Sequence, residues 1–284
     1  MSNKSEFSSV KKRNLISKIF IYLLLAVTCI LVMMPFIWMM SASLKLDKDV
    51  FNFPIQWIPK DPRWRNYADI WKEIPFAVFY KNTAKLSVII TFLQLLTSSF
   101  AAYAFAKIKF AGRDILFISY IATIAVPWQV YMVPQFIMMK KMGLNDSLFS
   151  LILLQAFTAF GVFLLRQSYL GIPEELSESA RIDGLSEYGI YARIILPLSK
   201  PALATLCIFT FVNTWNDYMG PLIYLSSTKN KTITLGLRMF ITQYNAEYAM
   251  IMAAAVCSLV PIVIVFLFTQ RYFIEGIATT GLKG

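Results

Sequence analysis

Asp217 is the clearest charge within an otherwise apolar run, and its neighbours Asn213, Trp215, Asn216 and Tyr218 are polar or aromatic. Such a set suits a hydroxyl-rich solute, because amide and carboxylate atoms pair with hydroxyls while aromatic faces stack on rings. It equally suits a structural role, with Asn and Asp satisfying backbone groups where Gly220 and Pro221 disrupt the helix. An aspartate at the centre of a membrane helix costs about 2.5–3.5 kcal/mol, so it must face a partner, water or a cavity. Near the end of an apolar run that cost is much smaller. Gln94, Gln129, Gln135 and Gln155 sit in other apolar runs, where interhelical hydrogen bonding is the first expectation and lining a pathway the second.

Other chemistries are excluded. There is no histidine, so no Ser-His or Cys-His pair and no HExxH zinc site is available. Cys29, Cys207 and Cys257 lie inside apolar stretches and form no secreted disulfide framework. A phosphate loop needs GxxxxGK followed by Ser or Thr. The nearest matches, Gly184 to Gly189 and Gly276 to Gly281, are followed by Ile190 and Leu282. The pairs Met33-Met34 and Met138-Met139 read as adaptable packing, not as a metal site. The chain is expected to be no enzyme, with no catalytic residue and no cofactor or metal of its own.

The elements that position these residues follow from composition. Of 284 residues, 57% are hydrophobic and 15% charged, against about 25% charged in an ordinary soluble domain. A spanning helix needs about 20 mainly apolar residues. Uncharged runs of that order lie between Lys18 and Lys45, Lys85 and Lys107, Asp114 and Lys140, Asp146 and Arg166, and Glu247 and Arg271. A sixth, from Lys200, is long enough only if it continues through Asp217 to Leu225. The expectation is an all-α integral membrane protein with six transmembrane helices.

The formal charge of +11 does not imply a nucleic-acid partner, because the basic residues fall mostly in short segments between apolar runs. Lys4, Lys11, Lys12, Arg13 and Lys18 precede the first run, and Lys107, Lys109 and Arg113 fill the loop between the second and third. By the positive-inside rule both clusters, and hence both termini, are cytoplasmic. The organisation expected is a cytoplasmic tail over residues 1–18, a six-span domain over 19–272 and a cytoplasmic tail over 273–284. Within it lie external loops at about 44–78 and 221–248 and a cytoplasmic loop at about 171–200.

That cytoplasmic loop is the most informative stretch. Pro173 suits a helix start, and Glu174 and Glu175 suit the positive end of the helix dipole. Gly184 is placed to end the helix in a left-handed conformation, and Ser186 to cap a second one. The product is a helix–turn–helix too polar for the bilayer.

Its residues carry a family resemblance. Glu178-Ser179-Ala180, then Asp183-Gly184, then Ile194-x-Leu196-Pro197 resembles the EAA loop of membrane subunits of ATP-binding-cassette (ABC) importers, with Ser179 where alanine is usual. Trp64-Arg-Asn-Tyr67, Lys81-Asn-Thr83, Phe211 to Leu222 and the ending Arg271 to Gly284 resemble further features of carbohydrate importers of the maltose type, specifically the smaller, MalG-like permease. The resemblance implies the type I importer permease fold, with Glu178, Ser179, Ala180, Asp183, Gly184, Ile194, Leu196 and Pro197 coupling to an ATPase. It implies a second homologous permease, two ATPase subunits that bind ATP and Mg, an extracellular or periplasmic solute-binding protein, and a sugar substrate in a bacterial plasma membrane. A stand-alone secondary transporter or channel would instead need ion-coupling charges within its spans and often an internal repeat. A polyol or glycerol phosphate ester is the alternative solute.

Overall fold

Apolar runs become helices here because lipid offers backbone amides and carbonyls no hydrogen-bond partner. The computed structural model describes residues 3–241 and 246–281. Helix α1 spans Asn3–Ser43, α2 Arg65–Glu73, α3 Phe76–Lys107, α4 Arg113–Ala122 and α5 Trp128–Lys141. They are followed by α6 (Leu148–Gln155), α7 (Ala159–Leu170), α8 (Glu174–Ile182), α9 (Glu187–Ile190) and α10 (Leu196–Leu198). The remainder are α11 (Lys200–Trp215), α12 (Met219–Tyr224), α13 (Ile233–Leu237) and α14 (Tyr248–Gly281).

Among the described residues four stretches are long and apolar enough to cross a membrane as they stand: Ser17–Ser43, Phe76–Lys107, Leu148–Leu170 and Tyr248–Tyr272. Six spans result only if two bent pairs each count as one. Arg113–Ala125 meets Trp128–Lys141 at 97°, and Glu187–Leu198 meets Lys200–Trp215 at 77°. The expected third span is therefore not straight. Pro127 supplies no amide hydrogen and holds Val126 in extended geometry, so the helix stops and restarts there. The expected fifth span does not run unbroken to Leu225. Helix α11 ends at Trp215, Asn216 caps it, and α12 begins at Met219. The proposed external loop from Pro221 thus starts inside α12. Both expected tails are helical where described, α1 from Asn3 and α14 to Gly281, while Leu282, Lys283 and Gly284 lie outside the described residues.

The chain divides into two compact units, one of Met1–Ile70 with Phe240–Cys257, the other of Trp71–Met239 with Ser258–Gly284. In the first, Ala42, Val50 and Ala249 form a small core. The Asn66 amide donates to the carbonyls of Ser43 and Lys45, both at 2.9 Å, and Tyr67 Oη meets Ser43 Oγ at 2.7 Å. Through those bonds the Trp64-to-Tyr67 motif holds the chain as it leaves α1.

In the second unit α3 is the central post, packed along α7 and α11. Small residues permit the close approach, as membrane helices require in the absence of a hydrophobic force between them. A Cβ at Gly161 of α7 would lie 2.5 Å from Ser98 Oγ of α3 and 3.1 Å from Leu206 Cδ2 of α11. Gly236 of α13 likewise sits against the Phe79 ring, where a Cβ has no room.

Candidate functional site: a loop at one end and a polar cleft between helices

The helix–turn–helix from Glu174 to Leu198 is tied to the end of α3. Lys107, the last residue of that helix, has a side chain only 3% exposed. Its Nζ donates to the Ile172 carbonyl at 2.8 Å and to Glu174 Oε2 at 3.1 Å. Arg181 Nε donates to Glu187 Oε1 at 2.8 Å, and Tyr103 Oη of α3 donates to Glu187 Oε2 at 2.6 Å. One carboxylate therefore joins α8, α9 and α3. Gly184 adopts φ 82°, and the Ser186 side chain accepts from Gly189 N, so the turn and cap expected from sequence are present. The chain then makes a π-helical turn over Tyr191–Ile195 before α10.

The sequence-identified residues of this loop divide by exposure. Glu178, Ser179, Asp183, Gly184 and Pro197 are exposed, Ile194 and Leu196 are half-buried, and Ala180 is buried with Leu165, Tyr169, Ile190 and Ile195. Ala180 is thus an internal contact, and its small size lets α8 sit on the core. The outward face carries three apolar residues that motif matching missed: Leu176, Ile182 (87% exposed) and Tyr188 (78% exposed). Their signal was there to be read. An isoleucine on the polar side of a short amphipathic helix has no use inside the chain.

Away from this loop, α3, α5, α6, α7, α11 and α12 line a polar cleft. Two hollows of about 360 and 350 Å³ share Gln94, Gln155, Thr158 and Asp217 in their linings. Asp217 Oδ2 accepts from Gln155 Nε2 at 2.9 Å, and Oδ1 accepts from Gly220 N at 3.1 Å. Gln94 Nε2 donates to the Gln155 carbonyl at 2.7 Å, and its Oε1 accepts from Thr210 Oγ1 at 2.9 Å. Gln135 Oε1 accepts from Trp128 Nε1 and Tyr224 Oη, while Gln129 lies outside both hollows.

Of the five residues singled out around Asp217, the cleft brings together two, Asn213 and Asp217. Asn213 lies on the face of α11 that lines the cleft and Asp217 follows just past the helix end, whereas Trp215, two residues from Asn213, is turned to the opposite side of α11. Trp215 is 2% exposed, stacks on Phe211 and meets Tyr80 edge-on, so it is a packing residue. Asn216 bonds back to the Val212 carbonyl, and neither Asn216 nor Tyr218 lines a hollow. Asp217 anchors the start of α12 through the Gly220 amide and lines both hollows.

A third feature went unread in the sequence. Asp146, between α5 and α6, has φ 54° and accepts from Ser226 N at 2.9 Å and Ser227 N at 3.0 Å. Its own amide donates to the Tyr224 carbonyl, and its carbonyl accepts from the Asn230 amide. Asn82, from the Lys81-to-Thr83 motif, donates to the carbonyls of Lys229 and Lys231. Together they fasten the segment 225–231 to the helices beneath. Hydrogen bonding from Ser227, then from the Ser226 amide, holds the Asp146 carboxyl well below the usual carboxylate range. A lowered carboxyl stabilises the fold fully above the ordinary aspartate value of about 3.9 and loses that effect only as pH falls through the lowered value. Asp146→Ala is therefore expected to speed amide exchange over 225–231 about tenfold at pH 7, from the loss of charged hydrogen bonds. The wild-type segment, after correction for intrinsic rates, is expected to keep its protection at pH 5. Unaltered exchange in the variant would remove Asp146 as the anchor.

A lattice of spanning and broken helices with a docking-sized helical loop at one end defines a helical membrane permease. The family model described as binding-protein-dependent transport system inner membrane component matches residues 94–278. The chain belongs to that family. It is 39% identical to the arabinooligosaccharides transport system permease protein AraQ of Halalkalibacterium halodurans, over 72% of this chain and 74% of the relative. It is 32% identical to the sn-glycerol-3-phosphate transport system permease protein UgpE of Yersinia pestis bv. Antiqua, over 91% and 95% of the two chains. Its fold also matches a chain in the crystal structure of a bacterial ABC transporter involved in the import of the acidic polysaccharide alginate. The TM-score is 0.81 at 25% identity, covering 92% of this chain and 98% of the other. The fold is that of a type I ABC importer permease.

Proposed function

We propose that this chain is one permease of an ATP-driven carbohydrate importer, forming half of the translocation pathway and passing ATPase motion to the membrane through the loop 171–200. The observation that carries the reading is the tied loop itself. A helix–turn–helix fixed to α3 by Lys107 and Glu187, yet presenting Ile182 to the outside, is built to take a push at its surface and deliver it to a spanning helix. Glu178, Ser179, Asp183 and Gly184 share that outward exposure and form the docking surface. Two ATPase subunits supply ATP and Mg binding, a second permease completes the pathway, and an external binding protein delivers solute. Both termini and the loop 171–200 face the cytoplasm, and the segments 44–78 and 221–248 face outward. The name of the arabinooligosaccharide relative supports a carbohydrate, most simply an oligosaccharide.

Mechanistically the loop biases a two-state membrane unit, inward-facing or outward-facing, through its rigid attachment to α3. Gentle solubilisation and purification of the tagged chain without crosslinking is expected to recover a second permease and an ATPase. Recovery of the chain alone, with solute uptake driven by an ion gradient and indifferent to ATP, would overturn the reading in favour of a stand-alone transporter.

A further inference from the structure

The two hollows that meet at Asp217 carry one charge among the described residues that line them, the Asp217 carboxylate, and no lysine or arginine. Recognition of a phosphate or carboxylate calls for charged donors or convergent amides. The two amide donors that converge on one point, Gly220 N and Gln155 Nε2, are both taken by Asp217, Gln94 Nε2 is taken by the Gln155 carbonyl, and the free amides of Asn213 and Gln135 line different hollows. The polar groups without a hydrogen-bond partner among the described residues are neutral: the Asn213 amide, Gln135 Nε2, Gln155 Oε1, and the Thr158, Thr214 and Tyr131 hydroxyls. Each carboxylate oxygen accepts one bond from the protein and keeps lone-pair capacity for another donor. Trp128 and Tyr131 supply aromatic faces on one side of it.

We infer that this cleft is a station for a neutral, polyhydroxylated solute, with Asp217 accepting from a pair of solute hydroxyls and turning away solutes that carry a carboxylate or phosphate. The inference rests on the importer reading above and narrows it, since similar permeases bear the names of uncharged and of acidic cargoes alike. Asp217 acts in two ways. It gains a pair of charge-assisted hydrogen bonds from a sugar diol, and it places a like charge within a few ångströms of any acid group, with no lysine or arginine among the described residues of this chain that line the cavity.

The test uses the assembled transporter in nanodiscs, with Cys29, Cys207 and Cys257 changed to serine and Phe209→Cys as reporter. Phe209 lines the cleft without offering it a polar group. Labelling by uncharged methyl methanethiosulfonate is followed against a panel of neutral trisaccharides (xylotriose, arabinotriose, maltotriose) and against trigalacturonate. At least one neutral sugar is expected to protect at a concentration about tenfold lower than trigalacturonate, a margin that one charge-assisted hydrogen-bond set can supply. Asp217→Asn keeps size and shape and is expected to narrow the margin to about twofold. Equal protection by neutral and acidic sugars would overturn the selectivity while leaving the cleft on the pathway. Protection by neither class would overturn the cleft as a station. The importer reading is judged separately, by ATP-driven uptake with the wild-type complex, so its failure and that of the station are told apart.

Discussion

Gly184→Val is expected to cut ATP-driven uptake by about tenfold or more while the chain still inserts and assembles with its partners. The reason is conformational. Gly184 holds φ 82°, and Gly184 N to Arg181 O (3.0 Å) and Leu185 N to Ala180 O (2.9 Å) close the turn around it. A left-handed backbone costs an ordinary L-residue about 1–2 kcal/mol and is least tolerated by a β-branched one. A Cβ at this position would meet nothing within 4 Å, so no clash inside the chain contributes. Relief of the strain would re-aim α9 relative to α8 and pull Glu187 away from Arg181 and Tyr103. The outward face around Ile182 would then no longer move as one body with α3. Gly184→Asn is the control, because asparagine visits the left-handed region readily. Uptake and binding-protein-stimulated ATPase activity, measured side by side in vesicles, separate the outcomes. Normal uptake by the valine variant would show that the turn geometry is not needed for coupling.

Gly161→Ala is expected to destabilise the helix trio α3, α7 and α11 by about 1–3 kcal/mol, the usual range for overpacking. The added methyl would lie 2.5 Å from Ser98 Oγ, 2.7 Å from Thr158 Cγ2 and 3.1 Å from Leu206 Cδ2. Ser98 is buried and its hydroxyl has no hydrogen-bond partner among the described residues, so Ser98→Ala removes the tightest obstacle without leaving a polar group stranded. The double variant should therefore recover part of the loss. A cycle of the two single variants and the double, followed by thermal unfolding of the purified complex, measures the coupling directly. Strict additivity would mean that the two helices separate instead of pressing at this point. Gly161→Leu goes further and is expected to reduce recovery of assembled complex by about tenfold.

The loop 171–200 was legible in the sequence because its determinants are local. A left-handed glycine, a serine cap and two acidic first-turn residues each act within a few positions of their own place in the chain, and each does what its chemistry requires. The apolar runs were legible for a similar reason, since span length is a matter of composition. Direction was not. Hydropathy treats Asp114 to Lys140 as one uncharged run, while Pro127 and the extended Val126 before it turn the helix by 97° inside that run. The glutamines at 94, 135 and 155 pair between elements as expected, yet nothing local shows that Gln155 reaches Asp217, 62 positions away. Asp146 is the clearest case. It enters the sequence only as the boundary of an apolar run, and the backbone amides that it accepts from belong to residues 226 and 227.

The bend at Pro127 has a consequence for water. At about 1.5 Å per residue, neither Arg113–Ala125 nor Trp128–Lys141 spans a hydrocarbon layer of about 30 Å, since each is about 20 Å long. In a span made of both arms the elbow between them sits at depth, with Ile124 and Val126 exposed and Pro127 offering no N–H to the carbonyls of the turn before it. Lipid tails cannot satisfy those carbonyls. The elbow must be covered by another polypeptide or hydrated, and a hydrated elbow carries a thread of water towards the middle of the membrane. In that arrangement, resting leakiness to protons and small polar molecules is expected to depend on how tightly a neighbour seals the elbow at Pro127.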